Sequence, residues 1–412
     1  MSRSFFNDTC GWHPWSIFSV EHELEWGFVI AKVAKDANII IPCGYDPLND
    51  KDLSMMVKGL FDYSASQPSY YEESEWPGAI AYYLLPSHCL NVKAFPPVIR
   101  KLVKQGIPSS LREHAWLIIS GGINFLRTRQ IDYLALAYRA ETSPHRNLIE
   151  LDITRTFQDE RLWLAKKGYI VATRLLCAYS LRNPALGYCQ GLSYVSACLS
   201  QVMSEECAFA TLCTLLEDGL IPPDYYTSLQ GAVVDQQVLE SLVGLLLKPL
   251  CSYLGEGLSE FTVSAIPWYM CLFSATFPMN VTIRIWDFLF VHGSVVIFRV
   301  ALSILEKVQT IVVAKGGDAR THLAAVLKEV TVETVPDFCL AWGDKVTNES
   351  IIELREMHRK EEAQGLSIPA ASIASALEEE YFLTSQPAPV QRQPRISRRK
   401  QILREVAAFL GK

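Results

Sequence analysis

The chain has 412 residues, half of them apolar, and a net charge of −6. That length holds two or three domains, or one large domain with extensions, and a sizeable core. The acidic balance argues against a nucleic-acid partner, because proteins built for that task present a basic domain. Eleven cysteines form no Cys-x-x-Cys pair and no Cys/His cluster with zinc spacing, so neither a disulfide framework nor a metal site is expected. Cys177, Cys198, Cys213 and Cys271 sit in apolar context, as free cysteines do in a reducing compartment.

Met1 to Asp8 lacks a charged segment followed by an apolar run, so no signal peptide is expected. Residues 1–100 mix aromatic, turn and acidic residues, including Trp12, Trp15, Trp26 and Tyr70-Tyr71-Glu72-Glu73, with a short strand conceivable around Ile39-Ile40-Ile41. Their periodicity assigns no fold; a small domain and a wrapping extension are both compatible with it.

A helix start follows Gly106-Ile107-Pro108. Ser110 and Glu113 have capping-box spacing, in which a hydroxyl and a carboxylate each take an orphan backbone N–H. Leu111, Ala115, Ile118 and Ile119 share one helical face, and Gly121-Gly122 supplies a stop. From there to about residue 345 the pattern is helix after helix: 162–181, 192–203, 208–216, 238–254, 267–277, 281–291 and 295–313. Gly and Pro mark the joints, strand-like alternation is rare, and the fold class is all-α. Phe261 to Ile283 is uncharged and long enough to span a bilayer, but Pro267, Pro278 and Asn280 make it read as buried helices joined by a turn, in a cytoplasmic protein. Asn348 to Glu362 reads as a charged surface helix. The segment 385–394 is a Pro-rich linker; Arg392, Arg395, Arg398, Arg399, Lys400 and Arg404 form a basic run, and the last turns, with Ile402, Leu403, Val406 and Leu410, are a candidate basic amphipathic helix. That tail is either a solvated end or a dock for an anionic membrane surface, to which each basic residue adds about 1 kcal/mol.

Two short segments carry candidate chemistry. In Ile149-Glu150-Leu151-Asp152-Ile153-Thr154-Arg155-Thr156-Phe157, the bland reading of Arg155 is a surface pair with Asp152, worth ~0.2–0.5 kcal/mol. The alternation of Ile149, Leu151 and Ile153 leaves helix and strand both open. In Gly187-Tyr188-Cys189-Gln190-Gly191, Gln190 alone reads as a turn residue and Tyr188 as a packing residue, while the glycines allow an unusual turn or a close approach. A thiol hydrolase built on Cys189 finds no matching Cys/His signature and no Gly-x-Ser-x-Gly elbow. No Gly-x-x-x-x-Gly-Lys-Ser/Thr loop occurs, so no nucleotide site of the chain's own is expected.

The combination is more specific than its parts. The motifs Ile-x-x-Asp-x-x-Arg and Tyr-x-Gln-Gly are followed by Pro267-Trp268-Tyr269 through Thr276-Phe277-Pro278 and by Arg284-Ile285-Trp286-Asp287. In order and spacing this resembles the TBC family of Rab GTPase-activating proteins, over residues 104–345. The resemblance implies a V-shaped all-α domain in which Arg155 matches an arginine finger and Gln190 a glutamine finger. The partner it implies is a GTP-loaded Rab GTPase that carries the GTP and Mg²⁺ itself. Arg112 and Trp116 match the Arg-x-x-x-Trp at the domain's start. Those two, with Trp268, Phe273, Trp286 and Asp287, are expected in core roles, and Asp152, Ile149, Tyr188 and Gly191 in support of the fingers. Gln158 stands where the family often has Pro, Leu192-Ser193 where it often has Met-Asn, and His292 where an acid commonly precedes the glycine. These departures spare both fingers and bear on partner preference. The alternative is a non-catalytic scaffold or effector that binds a GTPase.

Overall fold

The computed structural model describes residues 97–109, 112–122, 125, 133–156, 168–217, 220–222 and 224–363. The possible strand near Ile39, Ser110 of the capping box, Gln158 and the basic tail lie outside them. Every regular element among the described residues is helical, as the pattern of Gly and Pro joints predicts.

The described residues open with α1 (Pro97–Gln105), α2 (Arg112–Ile119), α3 (Tyr133–Tyr138) and α4 (Arg146–Thr154). The helices α5 (Gly168–Arg182), α6 (Leu192–Val202) and α7 (Glu205–Glu217) follow. α5 packs against α3, α4 and α6, and α6 packs against α4 and α7. The short α8 (Asp224–Thr227) leads into α9 (Gln230–Leu246), α10 (Lys248–Leu254), α11 (Leu258–Val263) and α12 (Ile266–Met270). The chain then runs through α13 (Met279–His292), α14 (Val295–Lys315), α15 (Ala319–Lys328), α16 (Val335–Leu340) and α17 (Asn348–Ala363).

Two of the long helices expected from the sequence are broken. Pro249 stands in the first turn of α10, where it donates no N–H and its ring would clash with a preceding carbonyl. The helix expected over 238–254 is therefore α9 and α10, joined at Leu247, and α9 begins earlier, at Gln230. The helix expected over 267–277 stops at Met270, because Leu272 and Phe273 adopt left-handed backbone at φ 48° and 66°. Bulky residues hold such angles only when packing over-determines them. Here Phe273 lies between Trp268 and Phe277, and the Trp286 indole donates to the Leu272 carbonyl at 2.8 Å. Among the described residues no single helix is long and apolar enough to cross a membrane.

α13 is buried on nearly all sides and forms the centre of the core, as a helix apolar all round must. Its Asp287 is fully buried and gathers three donors. Trp116 Nε1 donates to it at 2.8 Å, Arg112 Nε at 3.2 Å and Arg284 Nη1 at 3.3 Å. Arg284 also donates to the Val103 and Lys104 carbonyls, both at 2.8 Å, at the end of α1. A buried carboxylate is tolerated when its lone pairs are filled this way. The cluster fastens α1 and α2 to α13.

Glu113 also ties α2 to a distant element. Its carboxylate crosses to the start of α7, accepting from the Ser204 N–H at 3.0 Å and the Ser204 hydroxyl at 2.5 Å. The charged helix expected at 348–362 forms as α17, but only one side of it faces solvent. Ile351 and His358 are buried, and Arg355 reaches the fully buried Asp235.

Candidate functional site

α4 settles the helix-or-strand ambiguity of the first motif. Ile149, Asp152 and Ile153 fall at i, i+3 and i+4 and face the core, while Leu148 and Leu151 are turned outward. Arg155 is the residue that caps this helix at its C-terminus. A cation is favoured there, against the partial negative charge of the last carbonyls.

The surface pair expected between Arg155 and Asp152 is not a surface pair. Asp152 is 2% exposed, and the Arg155 side chain 23%. Arg155 Nη2 donates to Asp152 Oδ1 at 2.5 Å. The second carboxylate oxygen, Oδ2, accepts the Tyr188 hydroxyl at 2.6 Å. Thr156 donates back to the Asp152 main-chain carbonyl at 2.8 Å and closes the helix end. One buried carboxylate therefore joins the arginine of the first motif to the tyrosine of the second, two residues before Gln190.

Burial and the neighbouring Asp152 charge push the Tyr188 phenol well above its usual range, so it stays a donor. The same two causes push the Cys189 thiol up to about 12. A thiol that reluctant to ionise is no nucleophile near neutral pH, which removes the thiol-hydrolase reading on physical grounds.

Gln190 lies in the turn that leads into α6, partly exposed. Gly191 caps α6 at φ 102°, backbone that disfavours any side chain. A Cβ there would also come within 3.3 Å of the Met270 carbonyl and 3.4 Å of the Cys271 sulfur. The glycine thus lets the Gln190 turn press directly on the end of α12. α6 in turn packs against α4, so the two motifs occupy adjoining elements.

Sequence reasoning missed several residues here. Tyr194, on the first turn of α6, lies close enough to Arg155 and Asp152 for their charges to act on its phenol in opposite directions. Burial dominates and raises it to about 12. Tyr226 donates to the Met270 carbonyl at 3.0 Å, beneath the Gln190 turn. Neither has a motif around it. Trp268 is buried on α12, two residues before Met270, with no polar contact to the site among those described. Among the described residues no group of His, Cys, Asp and Glu could hold a metal ion.

Residues 109–312 match the model of the Rab-GTPase-TBC domain. The chain carries a TBC domain. Growth hormone-regulated TBC protein 1 of Xenopus laevis is 29% identical over 276 residues, 63% of this chain and 79% of that protein. Its namesake in Xenopus tropicalis is 33% identical over 221 residues, 51% of this chain and 63% of that protein. Small G protein signaling modulator 3 of Bos taurus is 32% identical over 214 residues, 50% of this chain but 28% of that protein. The chain thus spans less than two thirds of the length of several of its relatives. Two solved TBC structures share the fold. The Chlamydomonas flagellar RabGAP TBC domain has a TM-score of 0.51 at 24% identity, covering 71% of this chain and 91% of its own. The Ypt/Rab-GAP domain of Gyp1p has a TM-score of 0.50 at 19% identity, covering 69% and 98%. The TBC domain thus contains both candidate motifs. α15, α16 and α17 lie beyond the matched segment and continue the same helical body, packed on α14, α13 and α9.

Proposed function

We propose that this chain accelerates GTP hydrolysis on a Rab-type small GTPase, supplying Arg155 and Gln190 in trans. The observation that carries the reading is the shared carboxylate: Asp152 holds Arg155 with one oxygen and Tyr188, beside the Gln190 turn, with the other. A lone surface arginine would not be fixed at a helix end by a buried acid that also braces a glutamine-bearing turn.

The chemistry suits both side chains. Phosphoryl transfer spreads negative charge over the phosphoryl oxygens, so catalysis is positioning plus electrostatic stabilisation. Arg155 presents a planar, cationic fork of donors that matches phosphoryl oxygens. An arginine supplied in trans contributes on the order of 10³–10⁵ in rate. The Gln190 amide has donor and acceptor together and would orient the attacking water against the γ-phosphate. The GTP and its Mg²⁺ belong to the partner in this reading. By returning the GTPase to its GDP form the protein would regulate vesicle traffic, working at the cytoplasmic face of endomembranes.

The test is single-turnover GTP hydrolysis across a panel of Rab proteins, with Arg155→Ala and Gln190→Ala beside the wild type. The expected result is acceleration of at least one member, lost in both variants. Wild-type protein that binds a GTP-loaded Rab without accelerating it would replace this reading with the non-catalytic scaffold.

A further inference from the structure

The turn that carries Gln190 is supported from a helix that lies outside the matched TBC segment. α8 has four residues, too few to hold a helical turn by its own hydrogen bonds. It is held from outside by α17. Arg359 grips both oxygens of Asp224 at 2.6 and 3.0 Å. Arg355 grips both oxygens of Asp235 at 2.7 Å, and Tyr225 donates its phenol to the same carboxylate. Gln230, at the start of α9, donates to Glu362 at 2.8 Å. Gly231 leaves room for this arrangement, since a Cβ there would come within 2.5 Å of the Tyr225 ring.

The next residue of α8 faces the site. Tyr226 is buried and donates to the Met270 carbonyl at 3.0 Å. That carbonyl is the one against which Gly191 packs. The Cys189 and Cys271 thiols also lie near enough to act on the Tyr226 phenol, which places the ring under the Cys189–Gln190–Gly191 turn.

We infer that α17 is a positioning element for Gln190: Arg355 and Arg359 hold α8 in place, and Tyr226 of α8 supports the glutamine turn through the Met270 carbonyl. The inference rests on the proposed role of Gln190 for its catalytic meaning, while the mechanical link stands on the contacts alone. Anything that lifts α17 would then loosen the glutamine and leave Arg155 seated.

The experiment uses the full chain with Tyr226→Phe, Arg359→Gln and the conservative Arg359→Lys. Hydrogen exchange is read over residues 186–192 and over 146–156. In Tyr226→Phe and Arg359→Gln, exchange over 186–192 should rise about fivefold, the worth of one lost hydrogen bond. Exchange over 146–156 should not change, and Arg359→Lys should recover part of the protection. Unchanged exchange over 186–192, or an equal rise in both segments, overturns the inference. A kinetic arm uses a GTPase that the wild type accelerates. Tyr226→Phe should lower kcat about tenfold, a modest misplacement of one group, with KM for the GTPase unchanged. On a Gln190→Ala background that loss should vanish, because the two act as one unit. An equal loss on that background, or a change in KM alone, also overturns it. Altered exchange in a protein that accelerates no GTPase would support the mechanical link and sink the activity reading instead.

Discussion

Tyr188 donates its hydroxyl to Asp152 Oδ2 at 2.6 Å, on the carboxylate whose other oxygen holds Arg155. The acid is therefore committed on both sides, and its orientation fixes two motifs that stand 36 positions apart. Loss of either partner should be felt by the other.

Asp152→Asn keeps the shape of the side chain but removes the charge that holds the guanidinium. The expected outcome is a loss of about 10- to 100-fold in stimulated GTP hydrolysis, the scale of a group misplaced by up to 1 Å. Stability should fall by about 1–3 kcal/mol, since buried groups lose their best partner. Single-turnover kinetics and urea unfolding measure the two effects separately.

Gly191→Ala places a side chain at φ 102° and against the Met270 carbonyl. Strain of about 1–2 kcal/mol is expected from the backbone alone. A thermal melt should show the destabilisation. The GTPase assay should show a drop in kcat at unchanged affinity if the turn shifts Gln190.

Asp287→Ala strips the acceptor from Trp116, Arg112 and Arg284 together. Breaking a buried charged cluster from one side costs about 3–5 kcal/mol. That is a large share of the ~5–15 kcal/mol that holds a domain folded, so less of the variant should be recovered soluble, and it should unfold at lower urea.

Stability should decline on both sides of neutrality, with opposite signs of proton binding. Burial and the charges of Arg299 and Arg100 hold the His292 imidazole down at about 4, from an ordinary 6.5. Between those values the unfolded chain binds the proton and the folded chain does not. Stability is present above pH 6.5 and is lost as pH falls toward 4, by up to about 3 kcal/mol. His292→Gln should make the acid limb shallower in urea titrations against pH. At the alkaline end, burial raises Tyr188 and Tyr226, so the unfolded chain ionises first and stability falls above about pH 10.

Local signals were legible where backbone chemistry decides. Helical spacing and the Gly and Pro joints located most helices, and the order of motifs singled out Arg155 and Gln190. What stayed hidden depends on contacts far apart in the chain. Taken alone, Asp152 reads as a surface acid, because nothing near it reveals Tyr188 on the other side of α5; only the resemblance between motifs sets it in support of Arg155. α17 read as a surface helix because its many charges mask Arg355, whose partner Asp235 is 120 positions away. That partner did carry a signal: a lone acid among Ala232, Val233, Val234 and Val238 sits in a core stripe and must find a cation. Leu272 and Phe273 gave none, because left-handed backbone at a bulky residue follows from tertiary packing.

The Arg355–Asp235 pair also bears on the order in which the protein is expected to assemble. Closing a loop of 120 residues costs more entropy than any turn within α4 or α6, so this contact is expected to form late. During synthesis Arg155 and the acid that seats it leave the ribosome together, three positions apart. The support beneath Gln190 waits until α17 has been made. The arginine is thus expected to find its acid while the chain is still growing, and the glutamine its brace only when the helical body closes.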